Sequence, residues 1–330
     1  MLHILDGDSS ANTLRQSSVE GDIISCREAL VAGPAPASVE GEEWLQVRAR
    51  HLSSYYGVPL SECEQGLRDQ EIALASYPEH DEVVLWFEHD LFCETNLLYL
   101  LNWFASRELG TTKLSLICIG GFPGIAKFRG LGQLNAEQLV SLFPSRHEVS
   151  SGELKLATAG WAAYRSPDPT EIEKLLEGDT SAMPFLRPAL EAHLRRFPSM
   201  LNGLGGIENT ALRLIQSGVK KSTLLFPAFF DAEPAFGLGD FQFWLALKGV
   251  SDTREPLLQI AEGTGAGQRL SSKEIRDSSF EITEVGKAVL TGEADFVALN
   301  GIDLWLGGVH LYGQERIWRW NETSGKLVFV

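Results

Sequence analysis

The sequence predicts an α/β protein: a Rossmann-like parallel-sheet domain, a helical bridge and a winged-helix-like α+β domain at the C-terminus. Three observations carry this reading. Short apolar runs alternate with helical patterns over residues 1–130. The pattern over 131–198 is helical throughout. In 199–330, helices are interleaved with strands and end in a hairpin. With 330 residues, 44% of them hydrophobic, the chain has more apolar material than one ordinary core takes.

The elements follow in order. Leu2–Leu5 is a first strand, and Asp6-Gly7-Asp8-Ser9-Ser10 turns it into a helix containing Leu14. Ile23–Cys26 is a second strand, opened by the turn signal Gly21-Asp22. A loop with Gly33, Pro34 and Pro36 leads to helices over about 42–56 and 60–77. Val83–Phe87 places five apolar residues in a row, which suits a strand buried on both faces. The helix behind it carries Cys93, Leu97, Leu100, Leu101 and Phe104 on one stripe, with a stop at Gly110. Leu114–Ile119 is a fourth strand, closed by Gly120-Gly121-Phe122-Pro123-Gly124.

Four amphipathic pieces follow: Ala136–Phe143, Glu153–Arg165, Thr170–Leu176 and Pro184–Phe197. In the last third, Ile207–Gln216 and Asp240–Lys248 read as helices. Phe280–Glu284 leads into another, and Ile317–Trp320 with Lys326–Val330 flank a five-residue loop as the expected wing.

The net charge is −16. Residues 1–190 hold 14 Lys and Arg against 27 Asp and Glu, and residues 191–330 hold 14 against 17. Neither part offers the positive face that phosphate backbones require, so nucleic acid is an unfavoured partner. Cys26, Cys63, Cys93 and Cys118 match no metal spacing. There is no membrane-length apolar run, and the N-terminus reads as a strand and not as a signal peptide. The expected location is the cytoplasm, with no membrane partner.

Ligands of open parallel sheets bind outside the carboxyl ends of the strands. There the four strands deliver Gly7, Asp8 and Ser9; Arg27 and Glu28; Glu88, His89 and Asp90; and Gly120 and Gly121. Glu88, His89, Asp90 and Ser9 are the candidate catalytic residues. A carboxylate beside an imidazole fixes its tautomer and tunes its pKa. Gly7, Asp8, Arg27, Glu28, Gly120 and Gly121 are the candidate ligand contacts. Each piece also has a plain reading: Asp8, Ser9 and Asp90 as helix caps, Arg27 and Glu28 as a solvated pair, and the glycines as a turn. Asp8, Glu88, His89 and Asp90 are ligand types for Mg²⁺ or Mn²⁺. No dense spacing such as His-x-x-x-His supports them, so no metal site is assigned and the cofactor stays unidentified.

Gly7-Asp8-Ser9 is similar to the opening of the GDSL hydrolases, but the late Asp-x-x-His and Gly-x-Asn-Asp blocks of those enzymes are missing. A broader resemblance covers about residues 1–125. It rests on Leu2-His3-Ile4, Gly7-Asp8-Ser9, Arg27-Glu28-Ala29-Leu30 with Gly33-Pro34, and Leu85-Trp86-Phe87-Glu88-His89-Asp90-Leu91-Phe92. In these the chain resembles the uncharacterised bacterial family catalogued as domain of unknown function 1835. Ile282–Gly286 and Gly301–Leu311 resemble the module that often follows it. The resemblance implies a family and no reaction.

The function expected is that of a small-molecule enzyme or ligand-binding protein, with a phosphate-bearing or nucleotide-like ligand, since Arg27 and helix N-termini favour anions. The alternative is a non-enzymatic sensor or regulator whose C-terminal module meets a protein or, less favoured, DNA.

Overall fold

A computed structural model describes residues 1–261 and 278–330. The chain divides into two compact units. Unit 1 comprises residues 1–190 with 305–309, and unit 2 the remainder.

Unit 1 is built on a five-stranded sheet. Its strands are β1 (Leu2–Asp6), β2 (Asp22–Cys26), β4 (Glu82–Glu88), β5 (Lys113–Ile119) and the short β6 (His147–Glu148). The order is β2-β1-β4-β5-β6; the first four strands are parallel and β6 is antiparallel to β5. All four expected strands form. The sheet is mixed because residues beyond 130 return to add β6.

Helices flank the sheet: α1 (Asp8–Arg15), α2 (Gly41–Tyr56), α3 (Leu60–Ala75), α4 (Leu91–Ala105), α5 (Ala136–Leu142), α6 (Ser151–Arg165) and α7 (Thr170–Glu177). The apolar run Val83–Phe87 is fully buried, as a strand covered on both faces requires. Helix α4 is apolar nearly all round, and α6 packs close to it at Gly160. A Cβ added there would lie 2.9 Å from a Leu98 methyl.

The segment expected as a separate bridge is divided: residues 131–190 lie within unit 1. Residues 305–309 also belong to unit 1. Leu306 and Gly307 pair in parallel with Gly33 and Pro34, which form β3. Gly308 donates its N–H to the Tyr164 carbonyl at 2.9 Å. A Cβ on Gly308 would lie 1.8 Å from the Arg165 carbonyl oxygen, so only glycine permits this approach.

Helix α8 (Leu186–Leu194) leads into unit 2, which contains α9 (Gly206–Gln216), α10 (Ser222–Ala232) and α11 (Asp240–Ser251), followed by the antiparallel pair β7 (Leu258–Ala261) and β8 (Ser279–Ile282). Lys221, between α9 and α10, bridges to Ser279. Three helices followed by an antiparallel strand pair are winged-helix-like in order. The wing is β7–β8 and not the terminal hairpin expected from the sequence. Trp318–Asn321 and Lys326–Phe329 do pair antiparallel, but as a separate two-stranded sheet. Phe280–Ile282, read as a helix entry, is strand β8. Helix α10 escaped the pattern because Pro227 interrupts it. Among the described residues no helix is long and apolar enough to cross a membrane.

Candidate functional site

The sheet order decides what meets at the carboxyl edge. β2 lies on one side of β1, and β4 and β5 lie on the other. The direction of strand succession therefore reverses at the β1–β4 pair. That crevice is where open α/β sheets take their ligands. The register ends with Leu5 opposite Trp86, so Asp6 and Gly7 leave β1 beside the exit of β4 through Glu88, His89 and Asp90.

From β1, Gly7 turns the chain with φ 82 and is the N-cap of α1, with no side chain bonded to the helix end. Asp8 and Ser9 therefore do not cap α1. The Asp8 carboxylate instead accepts from Arg27 Nε at 3.0 Å, in a solvent-exposed pair. Ser9 is exposed and lies near Gly132, whose Cβ, if present, would be 3.4 Å from the Ser9 Oγ. β1 separates Arg27, just beyond β2, from Glu88 on β4.

From β4, Glu88 turns inward. Its Oε1 accepts the Leu131 N–H at 2.6 Å, and its carboxyl fills the place a Cβ on Gly130 would take. Asp90 is the N-cap of α4, with Oδ1 accepting the Cys93 N–H at 2.9 Å. His89 stands between Phe128 and Phe185, with ring centroids 6.2 and 6.0 Å away, and its Nδ1 is buried without a hydrogen-bond partner.

One predicted contact sits elsewhere. Glu28 is buried against α2, where its two oxygens take Arg48 Nη2 at 2.8 Å and Nε at 3.1 Å. It clamps the loop that carries β3 and is no solvated strand-end carboxylate. Gly120 stays at the edge with His89: a Cβ there would lie 2.8 Å from the Phe185 ring and 3.4 Å from the His89 Cβ, while one on Gly121 would meet nothing within 4 Å.

The structure adds residues that the sequence reading passed over. Asp6 accepts from Asn96 Nδ2 at 2.9 Å through Oδ1, and its buried carboxyl also takes the Cys93 thiol. Glu94, on the first turn of α4, is 2% exposed, and its Oε2 also lacks a partner. Cys118 approaches Glu94 Oε1 at 3.7 Å. Burial pushes the Asp6 carboxyl up to about 7 and that of Glu94 up to about 8. Burial, then the neighbouring Asp90, raises Glu88; burial likewise raises Asp90 and the Cys93 thiol. Among the described residues no Lys or Arg forms an ion pair with Asp6, Glu88, Asp90 or Glu94. A signal for Glu94 was available: it is the one acid inside the otherwise apolar helix behind β4.

His3, on β1, is structural. His3 Nδ1 accepts from Trp86 Nε1 at 3.2 Å, and its Nε2 faces the Glu20 carbonyl at 3.3 Å. All four cysteines are free thiols.

No protein-family model matches the chain, and no curated protein matches it.

Proposed function

We propose that unit 1 binds a small phosphate-bearing or nucleotide-like anion over the N-terminus of α1 and presents His89 to it for acid–base work. One observation carries this reading: α1 starts uncapped at the point where the strand order reverses. Its first-turn N–H groups are unsatisfied donors at the positive end of the helix dipole, a ready seat for an anion. Ser9 and Arg27 flank that seat, with the Arg27 side chain 68% exposed although paired with Asp8. An incoming anion competes with Asp8 for the guanidinium. The resemblance to an uncharacterised family adds no reaction to this.

The test is a thermal-shift panel on the full chain with inorganic phosphate, nucleoside mono-, di- and triphosphates and sugar phosphates. A specific binder raises the unfolding midpoint by mass action. The expected result is a rise with at least one organic phosphate that Arg27→Ala weakens. A flat panel overturns the reading.

The winged-helix-like topology of unit 2 supports a second reading, a regulator whose C-terminal part meets a protein. Helix α11, which occupies the recognition-helix position, carries Asp240 and Lys248 as its only charged residues, so it lacks a basic face for DNA.

A further inference from the structure

Glu88, Asp90 and Cys93 each offer one donor atom, and these atoms lie within 4.8 Å of one another in a buried group. Local structure explains why they meet. Glu88 ends β4, Asp90 caps α4, and the cap folds the Asp90 carboxylate over the first turn, where Cys93 stands. Each carboxylate spends one oxygen on a backbone N–H, at Leu131 and at Cys93 respectively, and keeps a second oxygen beyond that bond.

Beside this trio stand two further buried acids: Asp6, which reaches the Cys93 thiol, and Glu94, whose Oε2 is unpartnered. Glu94 is 2% exposed and close enough to Asp90 for their charges to repel. Buried polar atoms are almost always satisfied, and buried carboxylates are paired or coordinate a metal. Among the described side chains no Lys or Arg supplies the pairing cation, and His89 alone acts on Asp90.

We propose that Glu88, Asp90 and Cys93 are the seat of a divalent transition-metal ion of the Zn²⁺ class, with Asp6 and Glu94 as the acids around it. Two carboxylate oxygens and a thiolate are a donor set for Zn²⁺ or Co²⁺. Mg²⁺ takes oxygen ligands, and a thiolate selects against it. On binding, the Cys93 S–H bond breaks, its proton leaves to solvent, and a sulfur–metal bond forms with no change of oxidation state. The inference deepens the proposed function by supplying a cation behind the anion seat. Its test needs no anion, so either can fail while the other stands.

The experiment strips the full chain with a chelator and then adds Zn²⁺, Co²⁺ or Mg²⁺ alone. The expected result is one equivalent of Zn²⁺ or Co²⁺ bound with a raised unfolding midpoint, and no effect of Mg²⁺ at the same concentration. The Co²⁺ form should show the near-ultraviolet thiolate-to-cobalt charge-transfer band. Cys93→Ser should abolish the band and Cys63→Ser should keep it. Asp90→Asn retains a capping oxygen, and Glu88→Gln retains the acceptor for Leu131. Each should weaken Zn²⁺ binding by at least the roughly tenfold that loss of a supporting group costs. Absence of Zn²⁺ and Co²⁺ binding overturns the proposal. So does Co²⁺ binding without the band, or binding that Cys93→Ser, Asp90→Asn and Glu88→Gln leave unchanged.

Discussion

Glu88 and Gly130 occupy one space: the carboxyl of Glu88 lies where the Cβ of any other residue at 130 would stand, 1.9 Å from its Oε2. The Leu131 N–H then closes on Glu88 Oε1 at 2.6 Å, so the loop after β5 is fastened to the end of β4.

Gly130→Ala therefore combines two costs, a Cβ at φ 125 and the expulsion of a buried, hydrogen-bonded carboxyl. The expected loss is about 3 kcal/mol or more in urea denaturation. Gly121→Ala is the control. It meets nothing within 4 Å and should change stability by less than about 0.5 kcal/mol.

The Glu28–Arg48 pair makes a second prediction. Arg48 is fully buried and also donates to the carbonyls of Ala29, Ala32 and Pro34 at 2.9–3.0 Å. Arg48→Met leaves Glu28 buried and unpaired and should cost about 3–5 kcal/mol. Adding Glu28→Gln should recover part of that loss, because the uncompensated charge is gone. A double-mutant cycle by chemical denaturation reads both.

His51 gives unit 1 a defined acid sensitivity. Burial first, and then the Arg48 charge, lower its pKa to about 4 from the ordinary 6.5, against an opposing pull from Glu28. Its ring covers Gly33 and stacks on Tyr55 at 5.1 Å. The unfolded chain thus takes up the proton first as the pH falls. Stability from this group is complete above about pH 6.5 and drains away toward pH 4, by about 3 kcal/mol at most. His51→Phe keeps a ring and should flatten that part of the pH dependence, measured by denaturation midpoints at neutral and acid pH.

Much of this was legible in the sequence, and the exceptions have physical causes. Val83–Phe87 could be read as a buried strand because it is apolar on both faces, and Asp90 as a cap because Cys93 and the α4 stripe follow it. Ser9, Arg27, His89 and Asp90 do stand at one sheet edge. Glu28 could not be placed, because its partner Arg48 comes from a helix 20 residues on, and only folding shows that they meet. The enclosure of the Asp6 and Glu94 carboxyls comes from tertiary packing. β6 is two residues long and β7 four, too short for an alternating pattern to register.

Unit 2 should fail to retain DNA. The net charge of −16 and the near-absence of basic residues on α11 predict no shift of a duplex in a low-salt gel assay, where non-specific binding is strongest. A salt-sensitive shift would favour the regulator reading in its DNA-binding form.

The central claim is that the free N–H groups of α1 receive the anion. It is read most directly by amide chemical-shift mapping of the isotope-labelled full chain during titration with the organic phosphate that stabilises it most. The account predicts saturable shifts centred on the amides of Asp8, Ser9 and Ser10, with the His89 ring moving at the same concentration. Shifts centred in unit 2, or saturation that leaves those amides unmoved, would contradict it.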